Sequence, residues 1–286
     1  MNDIATPVFH GVDDEVERLV KQIEIPPCPA ILTRIVREMQ ADEPDLNKVA
    51  QGVSADVALS AAMLKTVNSP FYGLRNKANS VQQALILLGL RNVGQLVTGL
   101  LLRQAFPVTA SDAMERFWNA SSGEAMATAM IARELKVCDP NLAYTFGLFR
   151  DAGMPALLSK YKAYEPIMTG EANRPGVPLP MIEMEKFGVH HAQVGAYFAS
   201  SWHLDEAVWL AILLHHDYPK WLPRNKEMPV RMAAMGLIAE QVYVRNDSKT
   251  DCDEWDQGAD AALEILGIDG DRVLEFEAEF AAQRAN

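Results

Sequence analysis

Apolar residues recur at intervals of three and four along nearly the whole chain, the spacing that gathers them on one face of an α-helix. Val16, Leu19, Val20 and Ile23 share such a face, as do Ile31, Leu32, Ile35, Val36 and Met39. The pattern predicts helices over 13–23, 30–39, 46–53, 57–67, 81–88, 93–105, 113–135, 140–152 and 155–169. Further helices are predicted over 181–187, 191–202, 205–216, 230–244, 256–266 and 271–282. The first half nowhere alternates with the period of two expected of a half-buried strand. Breaks carry turn and capping chemistry: Pro26-Pro27-Cys28-Pro29, then Asn68-Ser69-Pro70-Phe71-Tyr72-Gly73, then the Gly/Pro-rich stretch 170–180. Asp56 and Ser80 stand where N-caps belong. The chain therefore reads as all-α, a two-lobed helical bundle. Residues 1–12 form an extension, 13–106 a first lobe, 107–220 a second, and 221–286 C-terminal helices with an acidic face.

Composition narrows the function. The chain has 286 residues, 49% apolar and 22% charged, which is ordinary globular usage. Its net charge of −12 is uneven: 247–286 holds twelve Asp/Glu against three Lys/Arg, a net −9, and leaves −3 for the rest. No Lys/Arg cluster of the kind that grips a phosphate backbone is visible, so nucleic acid is not an expected partner. Three scattered cysteines (Cys28, Cys138, Cys252) lack zinc spacing and fit a reducing compartment. The first residues lack the pattern of a signal peptide, and apolar runs such as 208–214 are short for a bilayer. A cytoplasmic protein without a membrane is expected. Met126, Met130, Met181, Met184, Met232 and Met235 read as core filler, and the acidic tail as a solvated face.

The candidate chemistry centres on Leu148-Phe149-Arg150-Asp151-Ala152-Gly153-Met154, with His190-His191 and His215-His216-Asp217 further on. Histidines and an aspartate from separate helices are what a divalent metal needs. Yet Arg150 stays protonated and cannot ligate. Adjacent residues on a helix point about 100° apart, so Arg150 and Asp151 need not pair. Asp151 reads most simply as a carboxylate that ends a helix on nearby backbone amides. His215 and His216 are neighbours, so one of them at most is expected to face His191. No catalytic residue is assigned and no cofactor is expected; a divalent metal on Asp151, His191 and His215 is the exception the residues allow. Asn68, Phe71 and Tyr72 either form an interaction loop or bury an aromatic under a turn.

Taken in order, several stretches resemble the HDOD family, output domains related to HD-type metal-dependent phosphohydrolases. They are Pro26-Pro27-Cys28-Pro29-Ala30, Asp56-Val57-Ala58-Leu59, Val67 through Gly73, Ser80-Val81-Gln82-Gln83-Ala84 and Leu87-Leu88-Gly89-Leu90. In the second lobe they are Phe117-Trp118, Gly147 through Gly153, His191-Ala192-Gln193-Val194-Gly195, Trp202-His203-Leu204 and His215-His216. The resemblance implies an HD-domain-like second lobe with a vestigial pocket of Arg150, Asp151, His191, His215 and His216. The HD histidine of the first helix would fall near Ala120, and the histidine of the His-Asp pair is Arg150. The resemblance thus implies a bacterial signal-transduction protein that works through contacts with another signalling protein rather than by hydrolysis. Two alternatives stay open. One is a divergent metal-dependent phosphohydrolase. The other is a sensor of a phosphate or nucleotide held by Arg150 in the old pocket. The partner, the upstream signal and the oligomeric state are not legible.

Overall fold

Asp56 Oδ1 accepts the Leu59 amide at 2.9 Å and Ser80 Oγ that of Gln83 at 3.1 Å, so two helices start at the caps the sequence offers. The structure, a computed structural model, describes residues 14–39, 41–68, 72, 74, 77–106, 112–174 and 176–285. The extension at 1–12, Phe71 and the lobe junction at 107–111 lie outside these. Among the described residues all regular structure is helical. The fold is all-α.

The first lobe is built from α2 (Ala30–Met39), α3 (Leu46–Ser54), α4 (Val57–Val67) and α5 (Val81–Ala105). Its core holds Leu32, Ile35, Val53, Leu59, Met63, Leu96 and Leu102. Helix α5 is long and apolar enough to cross a membrane, but it kinks at Gly89, where φ is 82°. Val93, Gly94, Leu96, Val97, Leu101 and Leu102 are buried against neighbouring helices. Only glycine takes that φ without strain, which is why one apolar run becomes two segments. Helix α1 (Asp14–Lys21) lies apart, against the second lobe, where Lys160 Nζ donates to the Gln22 carbonyl. Trp202 Nε1 donates to the Pro26 carbonyl at 2.9 Å and ties the proline break to that lobe as well.

The second lobe pairs α6 (Asp112–Leu135) with α7 (Pro140–Phe149), followed by α8 (Gly153–Lys160), α9 (Glu165–Met168), α10 (Leu179–Phe187), α11 (His191–Ser201) and α12 (Glu206–Leu214). The C-terminal helices α13 (Met228–Ser248), α14 (Trp255–Leu266) and α15 (Gly270–Ala285) complete it, with α13 packed on α6 and α12. Met130, Met232 and Met235 are core residues, but Met181 and Met184 are exposed because α10 turns Ile182 and Glu183 inward instead.

Asn68, the first residue of the expected interaction loop, is held within the lobe: its Oδ1 accepts the Ala78 amide and its Nδ2 donates to the Ala78 carbonyl. Tyr72 is partly buried against the core.

Candidate metal centre

Helix α7 stops at Phe149, three residues before the end its apolar pattern predicts, and 150–152 form a turn. The early stop turns Asp151 toward α11 and α12. Gly153 then starts α8 so close to α11 that a Cβ there would sit 2.0 Å from the His191 carbonyl oxygen. Gly195, one turn along α11, faces the Gly153 amide across the same crossing. Gly153→Ala is therefore expected to push α8 off α11 and lower stability by about 1–3 kcal/mol, with the melting midpoint as the check; an unchanged midpoint would mean the crossing can open without cost.

His191 opens α11, His215 follows the last residue of α12, and His216 comes next. One donor atom each from Asp151, His191, His215 and His216 lies within 4.8 Å of the others. His191 Nε2 is 3.3 Å from Asp151 Oδ1, 3.3 Å from His215 Nε2 and 2.8 Å from His216 Nε2; His215 Nε2 is 3.4 Å from Asp151 Oδ1. Both neighbouring histidines thus reach the cluster, against the expectation of one. The cause is local: α12 ends at Leu214, and the chain leaves helical geometry within three residues. Nor does the Asp151 carboxylate settle on backbone amides; its partners are Arg150 and two imidazoles.

Each imidazole is oriented from behind. His191 Nδ1 donates to Glu183, 2.8 Å from Oε2, and the Tyr164 hydroxyl donates to the same carboxylate. His216 Nδ1 donates to Glu254 Oε2 at 2.7 Å, an oxygen that also accepts the Tyr218 hydroxyl. His215 Nδ1 donates to the Ile212 carbonyl at 2.6 Å. An acceptor on Nδ1 fixes the proton there and turns the Nε2 lone pair inward, as it does for metal-bound histidines. Three inward nitrogens and a carboxylate oxygen fit a divalent cation. Burial opposes a charge on His191, yet Glu183 and Asp151 raise its pKa to about 10, while burial and His216 push His215 down to about 3.

Arg150 lies beside this group and is 6% exposed. Its Nε donates to Asp151 Oδ2 at 3.0 Å, and Nη2 is 3.0 Å from both Asp151 Oδ2 and Glu124 Oε2. Nη1 is 3.1 Å from the Gly236 carbonyl oxygen and 3.3 Å from Glu240 Oε2. The pairing with Asp151 corrects the expectation drawn from helix geometry, because the turn replaces the helix at 150 and the long side chain folds back. Its three nitrogens make five contacts with four acceptor oxygens, Asp151 Oδ2 taking two of them, so no edge of the guanidinium is left to clamp a phosphate. That removes the basis of the sensor reading at this position. Burial raises Glu124 to about 7 and Glu240 to about 8 even beside the guanidinium, whereas Asp151 is held well below the usual carboxylate range because Arg150 and the imidazoles outweigh its burial.

Sequence reasoning missed Glu124, Glu183, Glu240 and Glu254. From α6 the side chain that reaches Arg150 is Glu124, four residues beyond Ala120. Glu254 belongs to the stretch read as a solvated acidic face, yet it is buried behind His216.

Crossed helices carrying a His/Asp cluster are the architecture of HD-type domains. The HDOD domain profile matches residues 25–218, and the chain belongs to the HDOD family. It is similar in fold to an HDOD domain protein of unknown function from Geobacter sulfurreducens, with a TM-score of 0.71, 21% identity, and coverage of 95% of this chain and 97% of that one. A Shewanella amazonensis structure provisionally named a phosphohydrolase gives a TM-score of 0.72 at 22% identity, covering 94% of this chain and 95% of that one. An uncharacterized Treponema pallidum protein is 27% identical over 201 residues, 68% of this chain. The matched part is 38% of that relative, so the chain spans well under half its length. Glu240 and Glu254 lie beyond the matched 25–218, so the C-terminal helices supply part of the support around the cluster.

Proposed function

We propose that this chain is a regulatory HDOD protein that acts in the cytoplasm through contacts with a signalling partner, and that its HD-derived cluster binds one divalent metal to organise the second lobe. The observation that carries the reading is the donor count. Asp151, His191, His215 and His216 amount to four protein donors, the full complement of a structural tetrahedral site, whereas a hydrolytic zinc site keeps three and leaves the fourth position to water. The second Asp151 oxygen is held by the Arg150 cation at 3.0 Å, which disfavours another metal ion there by like-charge repulsion. A bound metal would supply cross-linking of α11, α12 and the turn after α7. Water activation needs an open position.

The test is elemental analysis of protein purified without chelator or His-tag, followed by phosphomonoester and phosphodiester assays on the loaded protein. About one ion per chain with no hydrolysis above a metal-only blank is expected. Metal-dependent turnover that disappears in Asp151→Asn would establish the phosphohydrolase alternative instead.

A further inference from the structure

A second cavity, of about 930 Å³, lies where the first lobe, α6 and the C-terminal helices meet. Its size suits a small organic ligand. Lys65 of α4, Arg103 of α5 and Arg284 of α15 line it, with Asp247 as the one carboxylate among the described lining residues. This is a local excess of positive charge in a chain of net charge −12. None of the three cations has an ion-pair partner among the described residues, although nine other Lys and Arg residues of this chain do. Arg284 instead lies over the Tyr243 ring, 5.7 Å from its centroid, which leaves its N–H groups unspent.

Two more observations point to a ligand. Trp118 lines the cavity and is 1% exposed, and its indole N–H has no acceptor among the described residues. Buried donors of this kind are rare without a partner. The Tyr243 ring is only partly buried and sets one edge against Gly123, where a Cβ would come within 2.2 Å of it. The glycine thus lets an aromatic face border the cavity.

We propose that this cavity binds a small phosphorylated molecule that carries a planar ring. Lys65, Arg103 and Arg284 neutralise the phosphate, whose oxygens match guanidinium donors in pairs, and the ring packs on Tyr243 where Arg284 leaves it to turn to the phosphate. Because its walls come from both lobes and from α13 and α15, an occupant ties the first lobe to the C-terminal helices. The inference stands independently of the metal.

The test is calorimetric titration of the full chain with AMP, inorganic phosphate and adenosine as probes. AMP is expected to bind saturably and at least about tenfold more tightly than either fragment, since it alone offers both charge and ring. Arg103→Ala should weaken AMP binding by about tenfold, and Lys162→Ala, an exposed cation outside the cavity, should leave it unchanged. Arg284→Ala, on an exposed helix end, serves the same purpose if Arg103→Ala does not fold. No saturable AMP binding, equal binding of phosphate alone, or AMP binding that survives both arginine variants would overturn the proposal.

Discussion

Arg150→Ala is expected to destabilise the protein by about 3–5 kcal/mol, the cost of leaving buried charges without their counter-ion. Glu124, Asp151 and Glu240 all converge on this guanidinium, which is itself buried. The midpoint of thermal unfolding should fall by about 10 °C. Arg150→Lys should recover only part of the loss, since an ammonium has three donors and no planar fork to meet acceptors on both sides. If Arg150→Ala melts with the wild type, the guanidinium does not hold the centre of this lobe together.

The second large effect concerns the metal. Loading at about a thousand times the dissociation constant should stabilise the fold by about 4 kcal/mol, because the unfolded chain has no assembled site. His191→Ala and Asp151→Asn should each abolish the rise in melting temperature on metal addition. Glu183→Gln should keep a rise but weaken the affinity by about 10–100-fold, the usual cost of losing the carboxylate behind a ligand. His203→Ala is the control, since His203 stands outside the four-donor group. An equal metal response in His191→Ala and the wild type would place the ion elsewhere.

The helices were legible because each buries one face, and that periodicity survives in Ile31, Leu32 and Ile35, though not in the exposed Met39, as clearly as in Asp56 and Ser80 at the caps. The stop of α7 at Phe149 was not: the apolar pattern runs on through Ala152, and only packing of Gly153 against the His191 backbone shows why the helix must end. His191, His215, His216 and Asp151 could be named from residue type, but their convergence depends on where α12 ends, which periodicity places only to within a few residues. The buried carboxylates were partly readable. Glu240 is the sole charge between Met232 and Val244, and Glu124 interrupts a helix of small and apolar residues. Glu254 was not readable, because it sits among eleven other acidic residues of the tail and is set apart from them by its place behind His216.

If the four-donor cluster is a closed site, cobalt bound there reports it in its visible spectrum. The visible absorption of Co(II) is intense in a four-coordinate tetrahedral field and weak in a six-coordinate one. With Asp151, His191, His215 and His216 as its ligands, the cobalt protein should show intense visible bands that vanish in His216→Ala and do not shift when phosphate is added. Weak bands that change on adding phosphate would mean open coordination positions, and would contradict a purely organising role for the metal.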